Sequence, residues 1–358
     1  MNNDRIQEIL DLMEEARLDY FLISDPQSIA YCTGYYNDPH ERMFVFMISK
    51  HGNHTLFMND LFYLDHDLDV NIVWHKDGQD AIQTIVDEMH FPGRIGIDKN
   101  WASHFLLDLM KKLPNAKYIN ASPCVDLVRM KKDLQEQVLM IESSKINDAV
   151  MEEIIPFIQE GVTEKQLAKK LDELFFNHHS TCYGAIVAFG KNAADPHHEN
   201  DDTLLRKGNC VLIDMGCVYK GYCSDMTRTF FYGGIREDEM KVYETVKKAN
   251  EAAEAMIKPG VRLCDIDKCA RDIIAEGGYT VEFNHRLGHF IGRDVHEWCD
   301  VSQNFDLEVQ EGMTFSIEPG VYLQGEFGVR IEDLVLVTKD GCKVLNSYPK
   351  DLRVIGND

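Results

Sequence analysis

Residues 284 to 332 set ionisable side chains into apolar sequence, and no other stretch limits the fold of this chain so tightly. The run reads Asn284-His285-Arg286-Leu287-Gly288-His289-Phe290-Ile291-Gly292, and Val295-His296-Glu297 follows. Ile317-Glu318-Pro319-Gly320 comes next, and Val329-Arg330-Ile331-Glu332-Asp333 closes it. Ile, Phe and Val flank the charges, as in strands rather than surface loops. An ionised group on a buried strand is costly unless it is paired or bound to metal. The stretch therefore predicts half of a metal site, with the other half upstream.

The missing half is Asp214 and Asp225. Cys210 to Gly216 is an apolar strand with Asp214 near its end, and Tyr222 to Phe230 is its expected hairpin partner, carrying Asp225. Aspartate is depleted from strands. Eleven residues apart, the two can face one another on paired strands. Alone they would repel. With Glu318 and Glu332 there are four carboxylates beside one imidazole, His289. Four negative charges match two divalent cations. Oxygen ligands with one nitrogen suit manganese, cobalt or zinc better than copper, and the absence of thiolate argues against structural zinc. Each residue taken singly has a plainer role: a turn or cap for the aspartates, a core position for His289, a turn for Glu318, a solvated pair for Glu332 with Asp333. The joint arrangement is far harder to obtain by chance.

A chain of 358 residues predicts two domains. Apolar periodicity predicts helices over 5–18, 79–89 and 101–112, and strands at 20–23, 43–49, 55–58, 71–74, 94–98 and 117–119. Ser28 to Tyr31 leads to a turn at Thr33-Gly34. This alternation is that of an α/β domain over residues 1–128. Its seven histidines lie near no acid at ligand spacing. Pro123 and the basic Arg129 to Lys132 mark the boundary, and residues 129–358 form the second domain. There, Asp133 with Glu136 and Thr163 with Gln166 are capping boxes that open two helices. A strand at 185–189, the hairpin, helices at 236–257 and 263–276, and the charged strands follow. Helices, hairpin, helices and strands in that order suggest internal duplication.

Net charge is -23, from 37 basic and 60 acidic side chains, which argues against a nucleic-acid partner and an anionic membrane surface. No apolar run approaches the roughly 20 residues of a membrane span. The N-terminal residues lack a signal-peptide pattern. Ten cysteines without a C-x-x-C pair predict reduced thiols in a cytoplasmic protein.

Asp214, Asp225, His289, Glu318 and Glu332, with Gly288-His289-Phe290-Ile291-Gly292, Ser316-Ile317-Glu318-Pro319-Gly320 and Val329-Arg330-Ile331-Glu332-Asp333 around them, resemble the ligands and signatures of the pita-bread metallopeptidases. Asp25-Pro26 through Tyr31-Cys32-Thr33-Gly34-Tyr35 and Arg94 to Asp98 resemble the smaller domain of that family's proline-specific branch, the Xaa-Pro dipeptidases and Xaa-Pro aminopeptidases. The resemblance implies an α+β pita-bread catalytic domain behind a smaller α/β creatinase-like domain. It implies two divalent metals, manganese first, with cobalt or zinc as alternatives. Asp225 and Glu332 would bridge them, Asp214 would complete one, and His289 with Glu318 the other. A hydroxide between the metals would attack the peptide carbon before proline, with Glu318 or a neighbouring carboxylate moving the proton. His197 and His296 would hydrogen-bond the substrate and stabilise the oxyanion. His285 would line the proline subsite, and Arg330 would orient Glu332 or bind the substrate carboxylate. The substrate would be a proline-containing di- or oligopeptide and the protein a homodimer. Trp298-Cys299-Asp300 departs from the family, as does Arg286, which stands where glycine is frequent. Asp300 would repel a dipeptide's carboxylate if it faced the pocket. A metal-dependent lyase or other hydrolase of this fold, or a non-catalytic binding protein, are the rival readings.

Overall fold

The computed structural model describes residues 1–356. The chain forms two compact units, one of Met1–Arg129 and one from Met130 onward. Among the described residues no helix is long and apolar enough to cross a membrane.

In the first unit, strands β1 (Tyr20–Ile23), β2 (Val45–Ser49), β3 (Thr55–Asn59), β4 (Asn71–His75), β5 (Arg94–Ile97) and β6 (Lys117–Asn120) form one sheet in the order β4-β3-β2-β1-β5-β6. β1 runs antiparallel to β2 and parallel to β5. Successive side chains point to opposite faces. Phe21 and Ile23 thus join α1 (Asn3–Glu15) in one core through Ile6, Ile9 and Met13. Tyr20 and Leu22 join Ile82 and Ile85 of α3 (Ala81–Glu88) and Leu109 of α4 (Ser103–Lys112) in another. Helices on both faces explain why β1 to β3 are buried throughout. Two further helices stand where none was expected. α2 (Pro26–Thr33) replaces the turn leading to Gly34: Asp25 caps it by accepting from Ser28 N at 2.8 Å, Pro26 sits in its first turn, and Gly34 ends it at φ 81°. α5 (Ser122–Met130) runs through the expected boundary and buries Val125 and Val128. Pro123 is tolerated there because the first turn of a helix has no partner for that N–H.

The second unit begins with α6 (Leu134–Ile154) and α7 (Glu164–Asn177), each opened by the expected capping box. α6 gives way before Pro156 to a short 3-10 turn. Then come β7 (Thr181–Cys182), β8 (Ile186–Phe189), β9 (Cys210–Met215), β10 (Cys217–Tyr219), β11 (Tyr222–Cys223) and β12 (Met226–Tyr232). α8 (Glu237–Met256) and α9 (Leu263–Glu276) lead to β13 (Gly288–Phe290), β14 (Glu297–Val301), β15 (Thr314–Ile317), β16 (Gly320–Leu323), β17 (Phe327–Arg330), β18 (Asp333–Val337), β19 (Cys342–Val344) and β20 (Val354–Ile355). One sheet has the order β20-β12-β9-β8 and another β14-β13-β15-β18-β19. Each follows a helix pair, so the two halves repeat one plan.

Two departures from regular pairing position the charged groups. The expected hairpin is interrupted by β10 and β11, so β9 meets β12 with Thr227, not Asp225, opposite Asp214. Asp225 sits just ahead of that ladder. Second, β15 pairs with β18, whereas β16 pairs with β17 as a separate ribbon. Glu318 and Glu332 occupy the two crossings between these pairs. There the chain leaves the ladder, and their carboxyls can turn inward. Gly288 lets β13 lie against β15, since a Cβ there would collide with the Ser316 carbonyl. Gly288→Ala is expected to cost about 1–3 kcal/mol by overpacking. A urea unfolding free energy equal to wild type would show that this close approach is not needed.

Candidate active site and metal centre

A cavity of about 630 Å³ opens beside these crossings. Asp214, Asp225, His289, Glu318 and Glu332 line it, together with His197, His285, His296 and Arg330. All nine residues singled out in the sequence meet in one place.

One ligand atom each of Asp225, His289 and Glu332 lies within 4.8 Å of the others. His289 Nε2 is 3.8 Å from Asp225 Oδ2 and 3.5 Å from Glu318 Oε1. Its Nδ1 lies 3.1 Å from the Phe290 carbonyl and donates to it. That tautomer leaves the Nε2 lone pair toward the carboxylates. Ser316 receives a hydrogen bond from His289 N at 3.0 Å and gives one to Glu318 Oε1 at 3.2 Å. Thr227 Oγ1 donates to Glu332 Oε2 at 2.7 Å. The other oxygens, Asp225 Oδ1 and Glu332 Oε1, are buried without a hydrogen-bond partner. A buried unpaired carboxylate oxygen is costly, and bound cations would relieve that cost.

The titration of the site shows the same crowding. Burial pushes Asp225 well above the usual carboxylate range, and the charges of Asp214 and Glu318 push it further. Glu332 is raised well above its ordinary value by burial and then by Asp225. Burial lifts Glu318 to about 7, with Arg330 opposing and Asp214 adding. His289 falls to about 3 through burial and the neighbouring His296, whose ring centroid is 4.3 Å away. It is neutral near pH 7, as a ligand must be.

Arg330, expected from the sequence to orient Glu332 or bind substrate, holds this set in place together with Arg228, Thr227 and Tyr322, which the sequence did not single out. Arg330 bonds Asp214 Oδ2 at 2.6 Å, Thr227 Oγ1 at 3.1 Å, Tyr322 Oη at 2.9 Å and the Pro196 carbonyl at 3.4 Å. It therefore grips Asp214 directly and reaches Glu332 only through Thr227. Arg228, 1% exposed, donates to the carbonyls of Thr227 and Glu332 and to Asp333 Oδ1 at 2.7 Å. Thr227 stands on β12, two residues after Asp225. Arg228 inside an apolar strand was itself a signal. Tyr322 carried none, nor did Tyr183, which lines the cavity and donates to the Ser224 carbonyl at 2.7 Å.

His296 is exposed and His197 stands, also exposed, at the cavity edge. His198 turns away, with Nε2 2.7 Å from Glu164 Oε2. Glu164, His198 and Asp201 are a second group of ligand type. Asp300 does not line the cavity; its Oδ1 is 2.6 Å from Arg286, which does. The two departures from the family pattern are thus paired with one another.

The family described as metallopeptidase family M24 matches residues 138–339, and the creatinase/prolidase N-terminal domain matches residues 5–131. An Xaa-Pro dipeptidase of Lactobacillus helveticus is 35% identical over 99% of each chain. A solved prolidase of Pyrococcus horikoshii superposes with a TM-score of 0.89 at 30% identity, covering 98% of this chain and 99% of that one. A solved X-Pro aminopeptidase of Thermotoga maritima gives 0.82 at 28% identity, covering 96% and 100%.

Glu318 gives a test of the crowding. In the metal-free fold its carboxyl keeps its proton to about pH 7, against 4.5 ordinarily. Between those values the unfolded chain has released the proton and the folded chain has not, so this group's contribution to stability is lost as pH rises through the window. The stability of metal-free wild type relative to Glu318→Gln should therefore fall between about pH 4.5 and about pH 7. Manganese binding at about pH 6 should release protons. A difference that rises with pH, or binding without proton release, would contradict the picture.

Proposed function

The chain belongs to metallopeptidase family M24, and we propose that it hydrolyses the Xaa-Pro bond of dipeptides with two divalent metal ions, manganese first and cobalt or zinc as alternatives. The observation that carries this is the meeting of four carboxylates and a neutral imidazole in one cavity, with two buried carboxylate oxygens unpartnered. Asp225 and Glu332 would lie between the cations, Asp214 would complete one, and His289 with Glu318 the other. Bound there, the pair supplies an acidified water and a polarised substrate carbonyl.

The chain's own groups do the rest. Glu318 or a neighbouring carboxylate would take a proton and pass it to the departing proline nitrogen. His197 and His296 face the cavity as donors toward the substrate carbonyl oxygen. His285 has both ring nitrogens engaged, Nδ1 with the Arg286 carbonyl at 2.6 Å and Nε2 with Tyr322 Oη at 3.0 Å. It therefore offers the substrate only a flat ring, a fitting wall for proline. Arg330 is spent on Asp214, Thr227 and Tyr322, so it orients ligands rather than substrate.

Dipeptides are preferred in this reading for two reasons. The end-to-end relative from Lactobacillus helveticus bears that activity in its name. In addition, the pairing of Asp300 with Arg286 removes the charge that would repel a dipeptide's carboxylate. The complete donor set speaks against a non-catalytic binding protein. Ten free cysteines fit a reducing compartment, the cytoplasm. The homodimer implied by the family should scatter light at about twice the 41.1 kDa chain mass.

The test compares manganese-dependent hydrolysis of an Xaa-Pro dipeptide and an Xaa-Pro-Yaa tripeptide, with a chelator control. The dipeptide should be cut, and chelation should stop it. Asp225→Asn and His289→Ala should lose more than the roughly 10²–10³-fold that a missing oxyanion donor costs, with the fold intact. Cleavage mainly of the tripeptide would make the protein an aminopeptidase. Full activity of either variant at known metal content would sink the site assignment. If enzyme holding two metals cuts neither peptide, a lyase or another hydrolase of this fold takes precedence.

A further inference from the structure

Glu164 has no exposed surface and stands at the first position of α7, apart from the carboxylates of the cavity. Its two oxygens accept four hydrogen bonds. Oε1 takes Phe189 N at 2.8 Å and Asn192 Nδ2 at 3.0 Å. Oε2 takes His198 Nε2 at 2.7 Å and Asp201 N at 3.1 Å. The helix N-terminus adds a favourable dipole. All four donors come from residues 189–201, the segment that leaves β8 and brings Pro196 and His197 to the cavity.

The same segment is tied on its other side. Gln324 Nε2 donates to the Ala194 carbonyl at 2.9 Å, and Arg330 donates to the Pro196 carbonyl at 3.4 Å. His197 N donates to Asp195 Oδ1 at 3.0 Å. His197 is thus pinned through both chain neighbours, although its own side chain is exposed at the cavity edge. A buried polar pair is a weak source of stability, since apolar replacements often serve as well. What this one does supply is a fixed course for a loop that would otherwise move. It also accounts for the ligand-type grouping of Glu164, His198 and Asp201, because both Glu164 oxygens are already taken by N–H donors.

We infer that Glu164 and His198 form a positioning pair that fixes the 195–201 loop and so places His197 against the substrate carbonyl. The inference rests on the reading of His197 under the proposed function, and it makes His198 a positioning residue, not a catalytic one. Its action is indirect, so its effect must vanish when His197 is removed.

The experiment is a double-mutant cycle on the full-length, manganese-loaded protein with an Xaa-Pro dipeptide. His198→Phe removes the fourth hydrogen bond, and His198→Gln keeps an N–H donor. His198→Phe should lower kcat about 10-fold, with KM and metal content little changed, because small misplacements of a reacting group cost that much or more. His198→Gln should recover most of the loss. In a His197→Ala background, His198→Phe should cost less than about twofold, since contributions that act through one group are not additive. The same loss in both backgrounds, or no loss in the wild-type background, would overturn the inference and leave the proposed function standing. A His197→Ala variant with full activity would instead defeat the assignment of His197 itself.

Discussion

Carboxylates buried together in one cavity repel one another, and the catalytic unit is arranged around holding them there. Asp225 and Glu332 are buried, each with one oxygen unpartnered, and burial pushes both well above the ordinary carboxylate range. Such a set is costly in isolation. It becomes favourable when cations occupy it, because the work of desolvating and crowding the ligands is done by the fold before binding. The strain lies in the binding site, and the surrounding fold supplies the means to bear it.

Those means are specific. The β15–β18 and β16–β17 pairings exchange partners at Glu318 and at Glu332, which frees both side chains from the ladder. Arg228 anchors the second crossing through the Glu332 carbonyl and Asp333. Arg330 holds Asp214, and Thr227 links Arg330 to Glu332. One guanidinium thus fixes the backbone beneath the site and the other fixes its ligands. Cutting a buried pair of this kind costs about 3–5 kcal/mol, because it strands a charge. The site and the stability of the unit are therefore bound together.

The five candidate ligands that line the cavity stood out in the sequence because a charge in an apolar strand is a chemical anomaly wherever it appears. Capping boxes at Asp133 and Thr163 placed α6 and α7 for a similar reason, as two side chains at fixed spacing satisfy a helix end. α2 and α5 escaped because they are short and carry proline in their first turn, which reads as a breaker inside a helix. The β10–β11 insertion, which sets Thr227 and not Asp225 opposite Asp214, left no local signal. Pairings across space were out of reach as well. Glu164 meets His198 from 34 residues away. Asp300 could not be relieved of its apparent conflict with substrate until the fold set it against Arg286. Chemistry carried by one residue type was visible, whereas chemistry carried by a meeting was not.

The most direct test of the central claim is anomalous diffraction from crystals of the protein loaded with manganese. Two manganese peaks should appear in the cavity, with Asp225 and Glu332 between them and His289 on one. A single peak there, or a peak at Glu164, His198 and Asp201 with the cavity empty, would contradict the account.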